Sequence, residues 1–255
     1  MYGWKARIGY LSPGQVVSDI TTHEFYRIAP EGVTMAIATL GIRQLTDQDL
    51  SGALERIEKA AADLVREQVD IIVMAGAPPV SFDGVGADKK IIARIEKASG
   101  LPATTILSEV VKALNQLSAK TLVLATPWYQ SEINQRLRVF FEGYGFKVLN
   151  IKNLERSLPE VSRISTPIFP LSAYYRIPWQ AYRLAKQAFH ESPEEPDAIY
   201  MPCGAWPTAE VINVLETELG KPVITSATAK VWGALRMLRI KTDNIEGYGR
   251  LFKLR

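Results

Sequence analysis

The sequence predicts an α/β protein with two pseudosymmetric, Rossmann-like halves, each built on a parallel sheet, with the active site in the cleft between them. Two observations predict this fold class. Short β-branched and apolar runs alternate with longer amphipathic segments, a pattern typical of βαβ units. The same series of elements also occurs twice within the 255 residues, a length that can bury two cores of ordinary domain size.

The predicted elements fall into two sets. Strands of the first half are expected near Arg7–Leu11, Val33–Thr39, Asp70–Ala75 and Ala103–Ile106. Strands of the second half are expected near Thr121–Ala125, Phe146–Ile151, Asp197–Pro202 and Val223–Thr225. The main helices are expected at Leu50–Gln68, Lys89–Ser99, Ser131–Gly143, Trp179–Phe189 and Thr208–Leu219. An apolar stripe of Leu54, Ile57 and Ala61 at helical spacing supports the first of these helices.

Three pairs of matching segments, in the same order along the chain, show the internal repeat. The pairs and their offsets are Ile8–Pro13 with Leu122–Pro127 (114 residues), Asp70–Gly76 with Asp197–Cys203 (127 residues) and Gly100–Pro102 with Gly220–Pro222 (120 residues). Changing offsets are expected when loops are inserted between shared elements. We therefore place an N-terminal domain at residues 1–112, joined by a C-terminal helix at 228–255, and a C-terminal domain at 113–227.

Composition and charge exclude several function classes. The net charge is +3 and basic residues are interspersed with acidic ones, so no basic stripe is available for a nucleic acid. No apolar run reaches the roughly 18–20 residues that span a bilayer, and the N-terminus lacks the regions of a signal peptide. One cysteine and two distant histidines provide no metal-ligand pattern. We expect a cytoplasmic protein with no metal, no cofactor and no membrane or nucleic-acid partner.

Four segments are expected to meet at one end of the predicted sheets, because ligands of open parallel sheets bind beyond the carboxyl ends of the strands. The segments are Ser12–Gly14, Gly76–Pro79, Thr126–Tyr129 and Cys203–Trp206. They predict a cleft with a thiol on one wall and a glycine on the other. The predicted catalytic residue is Cys203, and the predicted substrate-binding residues are Ser12, Pro13, Gly76, Ala77, Ser81, Thr126, Tyr129 and Gly204.

Cys203 follows a predicted strand and precedes a predicted helix. Backbone N–H groups and the helix dipole at such a turn are expected to lower the pKa of the thiol. Gly204 lets the backbone approach a ligand closely, and the phenol of Tyr129 can donate to a substrate carboxylate. The alternatives are that Cys203 is a small buried apolar residue and that Tyr129 is an amphipathic surface aromatic.

Several segments of the chain resemble a known family. The strongest run is Ala198–Gly204, followed by Thr208–Ile212 and Leu219–Ser226. Earlier matches are Glu24–Val33 and Ala125–Tyr129. Together these segments resemble the maleate isomerase and arylmalonate decarboxylase branch of the aspartate/glutamate racemase superfamily.

The resemblance implies two pseudosymmetric α/β domains and a final helix that packs back on the N-terminal domain. In the family that the chain resembles, racemases use one cysteine from each domain as acid and base, and maleate isomerases use the first-half cysteine as a nucleophile. In this sequence the first-half position is Gly76 and the second-half position is Cys203. Among the relatives, arylmalonate decarboxylase has this same arrangement.

The leading hypothesis is a cofactor-independent, arylmalonate decarboxylase-like lyase in which Cys203 protonates an enediolate formed from a malonate-type or related small carboxylic acid. The alternatives are a maleate cis–trans isomerase or Asp/Glu racemase-like isomerase, and a non-catalytic carboxylate-binding protein. Ala77-Pro78 replaces the Thr-Ser pair that holds the carboxylate in the decarboxylase, so the substrate stays open. Replacing Gly76 by cysteine is expected to introduce or raise racemase activity by restoring a second thiol.

An apolar insertion is expected at residues 161–178, where proline, tyrosine and aliphatic residues are concentrated. It could cover the site or form a subunit contact, so a homo-oligomer is one of two expectations.

Overall fold

Two four-stranded parallel sheets form the framework of the chain in a computed structural model that describes residues 3–15, 17–154 and 177–254. The strands are β1 (Ala6–Gly14), β2 (Val33–Ile42), β3 (Ile71–Met74), β4 (Ala103–Thr105), β5 (Thr121–Thr126), β6 (Lys147–Asn153), β7 (Ala198–Met201) and β8 (Val223–Thr225). Their order is β2-β1-β3-β4 in the first sheet and β6-β5-β7-β8 in the second. The predicted α/β fold class and all eight predicted strands are confirmed.

Helices flank both sheets. They are α1 (Asp19–Ile28), α2 (Asp47–Glu55), α3 (Ile57–Arg66), α4 (Ala77–Val80), α5 (Ala87–Ser99), α6 (Ile106–Gln116), α7 (Ser131–Gly143), α8 (Pro178–His190), α9 (Ile212–Leu219) and α10 (Ser226–Met237). Short 3-10 turns lie at Ala209–Val211 and Arg250–Lys253. Each sheet thus buries its faces under helices, as parallel sheets require.

The internal repeat is confirmed at the level of strand register. Ile8 of β1 lies opposite Ile71 of β3, and Leu122 of β5 lies opposite Ala198 of β7. These two pairs have the same offsets, 114 and 127 residues, that the sequence comparison gives. The equal strand orders and equal registers show that the two halves repeat one supersecondary unit.

Two aspartates make equivalent hydrogen bonds at the start of the two central strand pairs. The carboxylate of Asp70 accepts the N–H of Arg7 at 2.7 Å, and the carboxylate of Asp197 accepts the N–H of Thr121 at 2.9 Å. Bonds of this kind satisfy backbone donors at the strand ends and fix the register of the pair. The repeat therefore extends to side chains outside the cleft.

One predicted helix is interrupted. The segment expected as a single helix, Leu50–Gln68, forms α2 and α3, which meet at Arg56. The Nε of Arg56 donates to the carbonyl oxygen of Leu40 at 2.7 Å, which ties the junction to the end of β2. The apolar stripe through Ile57 and Ala61 is fully buried on α3, as predicted.

The C-terminal helix is shorter than expected. The helix expected over 228–255 covers only Ser226–Met237, and a 3-10 turn at Arg250–Lys253 lies further along the chain. Helix α10 packs against α6, α1, β3 and β4, which are elements of the first half. This packing supports assigning α10 to the N-terminal domain, while the boundaries near residues 112 and 227 stay a prediction.

Most of the insertion predicted at 161–178 lies outside the described residues, which resume at Ile177. Its two expected roles, as a cover of the site or as a subunit contact, therefore stay predictions. Within the described part of the chain, no helix combines the length and the apolar character needed to cross a membrane.

Candidate active site

A small cavity of about 40 Å³ lies at the carboxyl ends of β1, β3, β5 and β7, between the two sheets. This is the edge at which the sequence predicts a ligand site. Its lining residues come from both halves and are Tyr10, Ser12, Pro13, Thr21, Leu45, Gly76, Pro78, Pro79, Trp128, Tyr129, Cys203, Gly204 and Ala205.

Six of the nine predicted site residues line this cavity. They are Ser12, Pro13, Gly76, Tyr129, Cys203 and Gly204. The structure thus brings them together, and their roles in binding and catalysis stay predictions.

The other three predicted residues are buried outside the lining. The hydroxyl of Ser81 donates to the carbonyl oxygen of Ala77 at 2.9 Å, and the hydroxyl of Thr126 donates to that of Lys152 at 3.3 Å. Ala77 itself is 1% exposed in the first turn of α4. In this structure the hydroxyl of Ser81 donates within its own helix turn, and its role in binding a carboxylate stays a prediction.

Sequence reasoning missed several lining residues. Tyr10 had a signal, because in a strand it shares a face with Ser12, two residues along. Leu45 follows β2 and so lies near the same sheet edge. Thr21 had no signal, because it reaches the cavity from α1, a helix that the sequence analysis did not single out.

Cys203 and Gly76 both have a positive φ angle, which is unusual for a residue with a side chain. The φ angle is +85° at Cys203, directly beyond β7, and +90° at Gly76, directly beyond β3. Such angles are unstrained for glycine but cost energy for any residue with a side chain. The N–H of Cys203 donates to the hydroxyl of Ser226 at 3.0 Å, which helps to hold the turn. The thiol is thus presented on a strained turn, a feature that often marks functional positions.

The electrostatic surroundings of Cys203 favour the neutral thiol. Burial raises its pKa to about 12, and the negative charge of Glu24 acts in the same direction. Hydrogen bonds from the N–H of Ala205 and the hydroxyl of Tyr129 to the sulfur oppose this rise but do not cancel it. The expected lowering of the thiol pKa is therefore wrong, because desolvation outweighs the donors around the sulfur.

The wall opposite the thiol is closed by proline rings. A Cβ atom added to Gly76 would lie 2.8 Å from the Cγ atoms of both Pro13 and Pro79. Carbon atoms in contact are separated by about 3.5–4.0 Å, so a side chain here requires both rings to move. Restoring a second thiol at this position would therefore first require the two rings to move, and the expectation of racemase activity stays untested.

Donors without charge dominate the polar part of the cavity. Among its lining residues in the described part of the chain none is charged, and the hydroxyl-bearing ones are Tyr10, Ser12, Thr21 and Tyr129. Burial raises the pKa values of Tyr10 and Tyr129 above their ordinary range, so both phenols stay protonated. An anion bound here would be held by hydroxyl and backbone donors rather than by a cation.

Tyr129 is itself held from behind. The side-chain amide of Asn134 donates to its carbonyl oxygen at 3.4 Å, and the amide of Asn153 donates to the same oxygen. Both amides are buried, so the loop that carries the phenol is fixed against β6 and α7. Within the described residues, no group of three or more His, Cys, Asp and Glu side chains is placed to hold a metal ion.

The fold and the cavity define a two-domain-like α/β protein with one thiol at the junction of its repeated halves. The sequence model of the arylmalonate decarboxylase family matches residues 18–252. The chain belongs to the arylmalonate decarboxylase family. The resemblance read from the sequence is thereby confirmed.

Curated relatives include both enzymes of the branch. The chain is 27% identical over 214 residues to the arylmalonate decarboxylase of Bordetella bronchiseptica, covering 84% of this chain and 83% of that protein. It is 21% identical over 221 residues to a maleate isomerase of Geobacillus stearothermophilus, covering 84% and 82%. These curated relatives of the chain are thus enzymes, one a decarboxylase and the other an isomerase.

Solved structures show the same fold. A crystal structure of arylmalonate decarboxylase superposes with a TM-score of 0.78 at 22% identity, over 98% of this chain and all of the other. The maleate isomerase of Pseudomonas putida S16 superposes with a TM-score of 0.81 at 18% identity, over 97% and 98%. At these identities the likeness concerns the fold, and the reaction is argued from the site.

Proposed function

We propose that this protein is a cofactor-independent decarboxylase of a malonate-type or related small carboxylic acid, with Cys203 as the proton donor. The observation that carries the proposal is the asymmetry of the cavity. One wall presents the thiol of Cys203, and on the other wall a side chain at Gly76 would require the rings of Pro13 and Pro79 to move. A reaction that needs one acid and no base on the opposite face fits this arrangement.

The chemistry follows from the lining. Hydroxyl groups of Ser12 and Tyr129 would hold the carboxylate that stays on the substrate and stabilise it as negative charge develops there. The departing carboxylate would lie against apolar side chains such as Leu45, without a cation to stabilise its charge. Cleavage of the carbon–carbon bond releases CO2 and leaves the bonding electrons in an enediolate.

Proton transfer completes the cycle. The S–H of Cys203 gives its proton to the α-carbon of the enediolate, and the resulting thiolate takes a proton from water. A thiol with a pKa of about 12 is protonated at neutral pH. A proton donor must be in this protonated form, whereas a nucleophile must be the deprotonated thiolate. Because the proton comes from one face, a prochiral substrate would yield one enantiomer.

The isomerase alternative needs different groups. A solved structure of the Nocardia farcinica maleate cis–trans isomerase, in a cysteine-to-serine mutant, holds a covalently bound succinylcysteine intermediate. A cysteine remains in that protein after one has been replaced, whereas this chain has a single cysteine. Racemisation with two thiols is likewise unsupported in this chain.

The experiment is a screen of aryl- and alkylmalonates, maleate, aspartate and glutamate in heavy water, followed by NMR. Decarboxylation is expected to release CO2 and to place one deuterium on the α-carbon. Conversion of maleate without CO2 would support the isomerase instead. Binding without turnover of any compound would support a carboxylate-binding protein.

We also infer a cytoplasmic location, a small carboxylic acid as the partner, and no nucleic-acid or membrane partner. The single cysteine and the mixed surface charge support this inference. Cell fractionation and size-exclusion chromatography would test the location and the homo-oligomer expectation.

A further inference from the structure

One face of helix α1 lies along the segment that comes directly after Cys203 in the sequence. Thr21, Glu24 and Arg27 are spaced three residues apart, so each is a neighbour of the next along the helix surface. The helix belongs to the first half of the chain, whereas Cys203 belongs to the second. We call these three residues the α1 face.

The first member of the α1 face binds next to the thiol. The hydroxyl of Thr21 donates to the carbonyl oxygen of Gly204 at 2.8 Å. A Cβ added to Gly204 would lie 3.6 Å from this hydroxyl oxygen and 3.4 Å from that of Tyr10. The backbone beside Cys203 is therefore packed closely against side chains of the other half.

The second and third members bind further along the same segment. One carboxylate oxygen of Glu24, which is 3% exposed, accepts the N–H groups of Thr208 and Ala209 at 2.7 and 2.8 Å. Arg27 forms an ion pair with Glu210 at the surface. The order of contacts along the helix thus matches the order along the segment, from residue 204 to residue 210.

A buried lysine supports the α1 face from α10. Lys230 is 1% exposed, its Nζ donates to the carbonyl oxygen of Thr21 at 3.4 Å, and it lies 4.6 Å from the ring centre of Tyr10. The charged and titratable groups around Glu24 are Lys230 from α10, Glu210 from the 3-10 turn and Cys203. Burying charges is costly, so two buried charged residues behind the cavity require compensating contacts.

We propose that α1 is the positioning element of the catalytic thiol, with Thr21, Glu24 and Arg27 holding segment 204–210 so that Cys203 keeps its strained turn at the cavity. The inference rests on the proposed function of Cys203. A strained conformation persists only when its surroundings determine it strongly. The N–H of Cys203 is fixed by Ser226 on one side, and the α1 face fixes the chain on the other.

Glu24 has a second effect, through its charge. The negative charge favours the neutral thiol, and burial raises the pKa of Glu24 itself to about 7. Glutamine at this position keeps an oxygen that accepts the two N–H groups but removes the charge. Alanine removes both, so the pair of variants separates the hydrogen bonds from the charge.

The test uses thiol labelling, because the single cysteine makes alkylation by iodoacetamide report on Cys203 alone. Labelling of the full-length protein needs no substrate, so its outcome is independent of whether a decarboxylase substrate is found. Glu24→Gln is expected to lower the thiol pKa and raise the labelling rate at pH 8 roughly threefold to tenfold. Glu24→Ala and Thr21→Val are expected to raise it through a loosened turn as well.

With a substrate in hand, Glu24→Ala is expected to lower kcat roughly 10-fold to 100-fold with KM nearly unchanged. Thr21→Val removes one hydrogen bond at constant volume and should lower kcat less, and Arg27→Met least, since its ion pair is exposed. Lys147→Ala, which breaks the exposed Lys147–Glu194 pair far from the cleft, is the matched control.

A folded Thr21→Val protein that labels at the wild-type rate from pH 6 to 10 would overturn the positioning role, and a folded Glu24→Gln protein that does so would overturn the charge effect of Glu24. If Glu24→Ala does not fold, Thr21→Val decides the positioning role. Changed labelling in a protein that decarboxylates none of the compounds tested would support the positioning role and count against the proposed function alone.

Discussion

The turns at Gly76 and Cys203 occupy the same place in the two repeated halves, and they differ in whether a side chain is present. Both follow the third strand of their half, and both have φ near +90°. At Cys203 the side chain remains despite its strained backbone. At Gly76 the side chain is absent and the rings of Pro13 and Pro79 occupy its space. A symmetric framework thus supports an asymmetric site, which presents a thiol on one wall only.

The largest effect is expected from removing the one thiol. Cys203→Ser should lower turnover roughly 100-fold to 10,000-fold, because a serine hydroxyl is a much weaker acid. The turn and the cavity should persist, since serine is close to cysteine in size. Stopped-time CO2 assays, with a thermal melt to verify folding, provide the measurement. Unchanged turnover in the folded variant would rule out Cys203 as the donor.

The pH dependence of labelling tests the environment of the thiol. Because burial raises the pKa of Cys203 to about 12, the thiolate fraction should grow about tenfold per pH unit from pH 7 upward. The alkylation rate should follow it without levelling near pH 8.5, the value of a free thiol. The urea-unfolded protein serves as the control and should level there. A plateau below pH 9 in the folded protein would contradict the burial argument.

Gly76→Cys tests whether the closed wall can be reopened. The added Cβ meets two proline rings, so we expect a loss of about 1–3 kcal/mol in the free energy of unfolding and little or no racemase activity. Adding Pro79→Ala should recover part of the lost stability, because it removes one of the two rings. A single variant that is as stable as the wild type and racemises a chiral product would show that the wall is open after all.

Cys203→Gly tests the strain from the other side. Glycine adopts φ near +85° without penalty, so this variant should gain about 1 kcal/mol in unfolding free energy relative to Cys203→Ser. Urea denaturation of both variants measures the difference. Equal midpoints would mean that the turn stores no strain.

The smallest effect is expected at Gly204. A Cβ there has ordinary contact distances of 3.4 and 3.6 Å, and the residue has no positive φ. Gly204→Ala should therefore change the unfolding free energy by less than about 1 kcal/mol, in contrast to Gly76→Ala. A calorimetric scan of the two alanine variants compares them directly. A larger loss at 204 than at 76 would reverse the assignment of which glycine is sterically required.

Much of the framework could be predicted, because strand periodicity and the repeat are local or self-similar signals. The repeat alone identifies Gly76 and Cys203 as equivalent positions, and the predicted strand ends identify Ser12 and Tyr129 as site residues. The α1 face could not be predicted, because Thr21 and Glu24 contact residues more than 180 positions away. The predicted lowering of the thiol pKa was wrong for a related reason. The desolvation that raises this pKa arises only when the two halves are assembled around the sulfur.

The positive φ at Cys203 also sets a direction for laboratory evolution. Variants selected by heat resistance alone are expected to accumulate glycine at position 203, since that exchange relieves the backbone and leaves the remaining core untouched. Catalysts would then disappear from the library while its average melting temperature rises. Screens for thermostable variants of this protein should therefore measure product formation in every round, or exclude codon 203 from mutagenesis.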